Sequence, residues 1–186
     1  KIVDGKAVLT DLLEVVDEIH ARGKTALLVD NEDGTVETFY SYGNGIMVDA
    51  KAIALAGMRG SSTEAEREKA RGRIVDAMKN GGHLVIACSN SAPMFKTKIF
   101  EERSFPEELF DAEEIRKEDV YKKLTRPAGE ETSAAFFPGG GSDSLVMHDT
   151  FRIVLTSKFE RGDIEEFMGE ELDMSKFEIV EMVNKS

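Results

Sequence analysis

The chain has 186 residues, 41% hydrophobic and 32% charged, which places it among folded domains built on one hydrophobic core rather than among disordered or disulfide-held chains. Thirty-six acidic residues against 24 Lys and Arg leave a formal charge of −12, which repels phosphate backbones and anionic lipid surfaces, so neither nucleic acid nor a membrane is expected as a partner. No apolar run approaches the roughly 20 residues that span a bilayer, the chain opens with Lys-Ile-Val-Asp rather than a signal peptide, and its single cysteine has no partner for an internal bridge; a reducing, cytoplasmic setting is expected, and the lack of an initial Met is consistent with a piece excised from a longer protein.

Leu9, Leu12, Leu13, Val16 and Ile19 recur at helical spacing, with Thr10 or Asp11 as cap and Gly23 as stop, so residues 10–22 are predicted helical. The continuous apolar run 25–29 predicts a strand buried on both faces and ending at Asp30. Asn31-Glu32-Asp33-Gly34 is turn chemistry, and 35–42, rich in Thr, Phe and Tyr, predicts a second extended element that Gly43-Asn44-Gly45 breaks. A helix is predicted from Asp49, whose side chain caps it, with Gly57 as its stop. Thr63 and Glu66 form a capping box ahead of Ala70, Ile74, Val75 and Met78, and Asn80-Gly81-Gly82 closes the pattern, which predicts a helix over 63–79 feeding directly into the strand 84–88. A helix that passes through a Gly turn into a buried strand occurs twice, so the predicted fold is a single α/β domain with a mainly parallel, helix-flanked sheet.

Residues 91–144 differ in character, with Pro93, Pro106, Pro127 and Pro138, dense charge and Gly139-Gly140-Gly141. They read as an insertion of loops and short helices, notably over 107–120, that packs on the core or touches a partner. A strand over 151–156, a helix or turn at 164–168 and a strand over 177–183 complete the chain.

Several constellations bear on chemistry. Gly23-Lys24-Thr25 matches the end of a phosphate-binding loop, but Glu18 stands where the loop's first Gly belongs, and a helix precedes and a strand follows, so it reads as a helix stop with a solvated Lys. Asp30 and Glu32 at a strand end resemble a magnesium-holding and water-polarising acid pair, which here lacks a phosphate loop to bring it a substrate. Cys88 lies in an apolar run and reads as a small buried hydrophobe. His20, His83 and His148 are far apart, so no metal site is expected, nor any cofactor. Gly139-Gly140-Gly141-Ser142-Asp143-Ser144 could cradle an anion through its amides, although a loop with its own acid reads more simply as flexible.

The segment from His148 to Ser157, an apolar strand closed by two hydroxyl residues, resembles the sensor strand of an AAA+ ATPase core, which makes Thr156 and Ser157 the sensor-like residues. The order of elements is similar to the fifth AAA+ module of dynein heavy chains: a strand over 26–30 ending in Asp, a helix and Gly turn into the strand over 74–88, then Phe151-Arg152 leading to Thr156-Ser157 with Lys158-Phe159 following, and a last strand over 177–183. The likeness covers roughly 24–183. It departs where Ala87-Cys88-Ser89-Asn90 offers no acid and where no phosphate loop precedes the first of these strands. That fifth module is a structural member of its ring, so the resemblance implies a degenerate P-loop core with a non-hydrolysing role, protein partners, and a place in a dynein-related, ciliary or microtubule-associated assembly. The acidic surface and the insertion, with Phe95, Phe100, Phe105 and Phe110 as aromatic anchors or as core packing, are the expected contact regions.

A second resemblance implies a different function. Leu27 to Val36 is similar to the nucleophile motif of haloacid-dehalogenase-type phosphatases, with Asp30 as nucleophile, Glu32 as the second acid, and Ser89 with Asn90 holding the phosphoryl group. Asp33 is then one residue too many before Gly34, and making it the second acid puts Asn31 in the nucleophile's place. Asp149 precedes its strand rather than ending it, so it supplies no late metal-binding pair.

Overall fold

The computed structural model describes residues 1–31 and 34–184. Among them, six strands form one all-parallel sheet: β1 (Lys6–Val8), β2 (Thr25–Val29), β3 (Gly45–Asp49), β4 (His83–Ala87), β5 (Arg152–Ser157) and β6 (Phe177–Val183), in the order β1-β6-β2-β5-β4-β3. The register sets Leu27 of β2 beside Leu155 of β5 and Ile179 of β6.

Every residue of β2 is buried because helices cover both faces of the sheet. On one face, Ala26, Leu28, Val154 and Val180 meet Leu12, Val15, Val16 and Ile19 of α1 (Leu12–Ala21) and Val36 of α2 (Thr35–Phe39). On the other, Leu27, Val29, Leu84, Ile86 and Leu155 meet Ile53 of α3 (Ala50–Ala54), Ile74 and Met78 of α4 (Thr63–Asn80), and Ile164 and Met168 of α6 (Ile164–Met168). Connections that run toward β3 along the sheet carry α1 and α2 over the first face. Connections that return carry α3, α4, the insertion and α6 over the second, which is what a single crossover hand requires.

The predicted helix over 10–22 and the strands 25–29, 84–88, 151–156 and 177–183 form within a residue or two of their expected ends. Two expectations need correction, over 35–42 and at the cap of α4. Residues 35–39 are α2, not an extended segment, and Tyr40–Asn44 continues it as a wider turn. The β propensity of Thr, Val, Phe and Tyr is overridden by the Asp30 carboxylate, which accepts the Val36 amide and so fixes the helix start. Asp49 does cap α3, accepting from the Ala52 amide at 3.1 Å, but the residues just before it form β3. The cap of α4 is Ser62, whose hydroxyl accepts from the Ala65 amide at 3.0 Å, one residue before the predicted Thr63. Residues 107–120 form the expected loops and short helices, running through turns at Glu107–Phe110 and Glu114–Arg116 into α5 (Glu118–Tyr121).

The insertion packs on the sheet. Phe95, Phe105 and Phe110 are buried and Phe100 is half-buried, and the Phe95 and Phe110 rings meet edge to face with centroids 5.5 Å apart, so Phe95 and Phe105 are core packing while Phe100 and Phe110 also line a surface cavity. Arg71 of α4, fully buried, ties the insertion down: its guanidinium donates to both carboxylate oxygens of Glu131, at 2.7 and 3.1 Å, and to the Leu124 carbonyl at 2.9 Å. The Ser142 hydroxyl donates to the same Glu131 carboxylate and accepts the Arg126 amide at 2.8 Å, so the Gly-rich loop is pinned by an internal acid instead of cradling an anion. Among the described residues no helix is long and apolar enough to cross a membrane.

Candidate functional site

In an open parallel sheet, ligands bind outside the carboxyl ends of adjacent strands whose onward connections leave across opposite faces. Here that pair is β2, which continues over the first face into α2, and β5, which continues over the second into α6. The place this rule selects lies between Asp30 after β2 and Thr156 and Ser157 at the end of β5.

Backbone pairing continues one residue past β2: the Asp30 amide donates to the Ser157 carbonyl at 2.8 Å. The Asp30 side chain is buried and turns onto the first turn of α2, where one oxygen accepts from the Val36 amide at 3.1 Å and the other from the Thr35 hydroxyl at 3.3 Å. Burial pushes this carboxyl above its ordinary value, while the Glu37 and Val36 amides, the Thr35 hydroxyl and the Lys158 ammonium pull the other way and do not fully offset it. Gly34 supplies the left-handed residue, φ +74°, that lets the chain turn into α2, and a Cβ there would lie 3.5 Å from the Lys158 ammonium.

Thr156 and Ser157 are fully buried, and both hydroxyls are engaged within the chain. That of Thr156 donates to the Glu37 carboxylate at 3.4 Å, and that of Ser157 accepts the Phe159 amide at 3.2 Å. Ser89 follows β4 with a left-handed φ of +54°, its carbonyl accepting the Lys158 amide at 2.8 Å, and Asn90 is exposed in the same turn. Because β5 lies between β2 and β4, Ser89 and Asp30 stand two strand spacings apart, about 9.6 Å across the sheet. Glu32 and Asp33 lie outside the described residues.

The strand ends thus bring Asp30, Thr156 and Ser157 together and set Ser89 and Asn90 one strand further away. Sequence reasoning does not select Glu37 or Lys158 for this place. Glu37 reaches it only because 35–39 is helical, and Lys158 only because β5 pairs with β2. Gly23-Lys24-Thr25 lies at the opposite, amino end of β2, where the Lys24 ammonium donates to the Ser175 carbonyl. The Cys88 thiol is buried, and burial raises it far above its ordinary value, so it is held as a neutral thiol. No group of three or more His, Cys, Asp and Glu side chains among the described residues is placed to hold a metal ion.

A helix start beneath a strand end, with donors converging on one point, is the arrangement that binds a phosphate. Here a carboxylate of the same chain sits at that point. Compared with protein-family models, with curated proteins and with solved structures, the chain finds no match in any of the three.

Proposed function

We propose that the chain is a non-catalytic interaction module, a degenerate phosphate-loop core of the AAA+ kind whose nucleotide place is closed by its own side chain. The observation that carries this reading is the Asp30 carboxylate on the Val36 amide and the Thr35 hydroxyl, which occupies the donors a phosphate would need. A working phosphate loop supplies several glycines, free amides and a Lys that reaches the terminal phosphates. Residues 30–34 hold one Gly and no Lys, and a carboxylate fixed at the helix start repels an incoming phosphate. The place after β4, where a water-polarising acid would be useful, holds the buried Cys88 thiol and the Ser89 turn. On this reading the chain works by presenting surfaces to other proteins, within a larger cytoplasmic assembly of the dynein-related or ciliary kind that the resemblance implies.

The phosphatase alternative is less well supported, because a nucleophilic Asp30 would need its carboxylate free to approach phosphorus in line, and it is buried and held by two donors. Calorimetric titration with ATP, ADP and Mg²⁺, beside a generic phosphatase assay on the wild type and Asp30→Asn, tests both readings. The module reading expects no saturable heat at millimolar nucleotide and no turnover. Turnover that disappears in Asp30→Asn would establish the phosphohydrolase instead.

A further inference from the structure

The sheet's other end carries an open cavity of about 220 Å³. It lies near the start of β2 and β6, where the Thr25 hydroxyl donates to the Phe110 carbonyl at 2.7 Å and Phe177 opens β6. The length of β2, about 17 Å, separates it from Asp30. Its floor is apolar and aromatic, made by Phe100, Phe110, Leu172 and Phe177. The Phe110 centroid lies 5.4 Å from that of Phe177 and 6.0 Å from that of Phe100, so the three rings are contiguous. Its rim is acidic, with Glu107, Glu108, Asp111 and Asp173 against a single cation, Lys176.

The rim charges are not equivalent. The Lys176 ammonium is taken by Asp111 at 2.7 Å, and the Asp173 carboxylate accepts from the Ser175 amide and hydroxyl at 3.0 and 2.6 Å. Among the described residues neither Glu107 nor Glu108 has a hydrogen-bond or close ion-pair partner for its carboxylate, although Glu108 lies in the field of the Lys123 ammonium, which is itself paired with Glu102. The cavity therefore offers two carboxylates without a direct partner above a floor of rings. A floor of this kind favours an apolar stem and the flat face of a cation, while the rim favours positive charge at the tip and repels anions. The volume suits one long side chain and falls below the size usual for a nucleotide or cofactor site.

We propose that this cavity receives an arginine side chain from a basic segment of a partner protein. Arginine fits better than lysine because its planar guanidinium stacks on a ring while its fork of donors reaches two carboxylates at once. The assignment rests on the reading of the chain as an interaction module and adds the face and the chemistry of its partner.

The test is an NMR titration of the isotope-labelled full chain with the peptide acetyl-Gly-Ser-Arg-Ser-Gly-amide and with its citrulline counterpart, which keeps the shape and loses the charge. The expected result is a saturable shift of the Leu172 methyls and of the Phe100, Phe110 and Phe177 rings with the arginine peptide, absent with citrulline. The Glu107→Gln/Glu108→Gln double variant, checked for an unchanged spectrum elsewhere, should weaken binding about tenfold or more. Equal binding of the citrulline peptide, unchanged affinity in the double variant, tighter binding of spermine than of the peptide, or no saturable shift would each overturn the assignment. Adding Mg-ATP to the same sample separates the two ideas: an unresponsive cavity with no nucleotide binding removes only the arginine site, whereas nucleotide binding at Asp30 removes the module reading whatever the peptides do.

Discussion

Asp30 and Glu131 are two buried carboxylates that do opposite things. Asp30, 1% exposed, faces two amides and a hydroxyl with the Lys158 ammonium further off, and burial wins, so its carboxyl lies above the ordinary value. Glu131, whose side chain is also 1% exposed, is pushed up by burial too, but the Arg71 guanidinium, the Ser142 hydroxyl and the Ser133 amide outweigh that and bring it down to about 2. Burial alone therefore does not set the charge of a buried acid; a cation in direct contact does. Glu131 is a committed anion that locks the insertion to α4. Asp30 turns onto the first turn of α2 at a strand end where topology favours a ligand, and its carboxylate takes up the Val36 amide and the Thr35 hydroxyl.

The two acids differ most at the ion pair. Arg71→Ala leaves Glu131 buried without its cation and should cost about 3–5 kcal/mol in urea unfolding, with loss of hydrogen-exchange protection over 91–144. Replacing both partners, Arg71→Met with Glu131→Met, should recover much of that loss, because the desolvated charge goes with the pair.

The two acids also respond to pH with opposite signs. Glu131 has its folded value depressed from 4.5 to about 2, so in that interval the unfolded chain binds the extra proton and stability falls as pH drops through it. Glu131→Gln should remove this part of the acid response. His20 and His83 add a loss of the same sign between 6.5 and about 4, because burial keeps their rings neutral in the fold. Asp30 works the other way. Its folded value lies above 3.8, so the folded chain binds the extra proton there, and lowering the pH through that window favours the fold. Asp30→Asn should abolish this gain and change stability at neutral pH by less than about 1 kcal/mol, since the amide oxygen still accepts the Val36 N–H. Denaturant midpoints measured against pH for the three proteins check both signs.

Much of this architecture is legible in the residues and some of it is not, for physical reasons. The apolar runs 25–29 and 84–88 announce strands because both faces of the sheet are covered, and the Ile74 and Met78 pattern announces α4 because one stripe faces the core. β1 is only three residues at a sheet edge, too short for a period to show. Residues 35–39 mislead because Thr, Val and Phe suit a strand locally, while the group that makes them helical is a side chain before the turn. Strand order is a property of crossovers, so the pairing of β2 with β5 is not written in either strand. The site follows the same division. Asp30, Thr156 and Ser157 are visible as polar residues at strand ends, whereas Glu131 and Arg71 stand sixty positions apart with no local sign that they meet.

The proposal that Asp30 closes the strand ends of β2 and β5 to nucleotide can be tested in one experiment. The most direct measurement is the calorimetric titration of the wild-type chain with Mg-ATP, with turnover followed in the same sample and in Asp30→Asn. No saturable heat and no phosphate release are expected in either protein. Saturable binding of Mg-ATP to the wild type, or phosphate release that Asp30→Asn abolishes, would contradict the proposal.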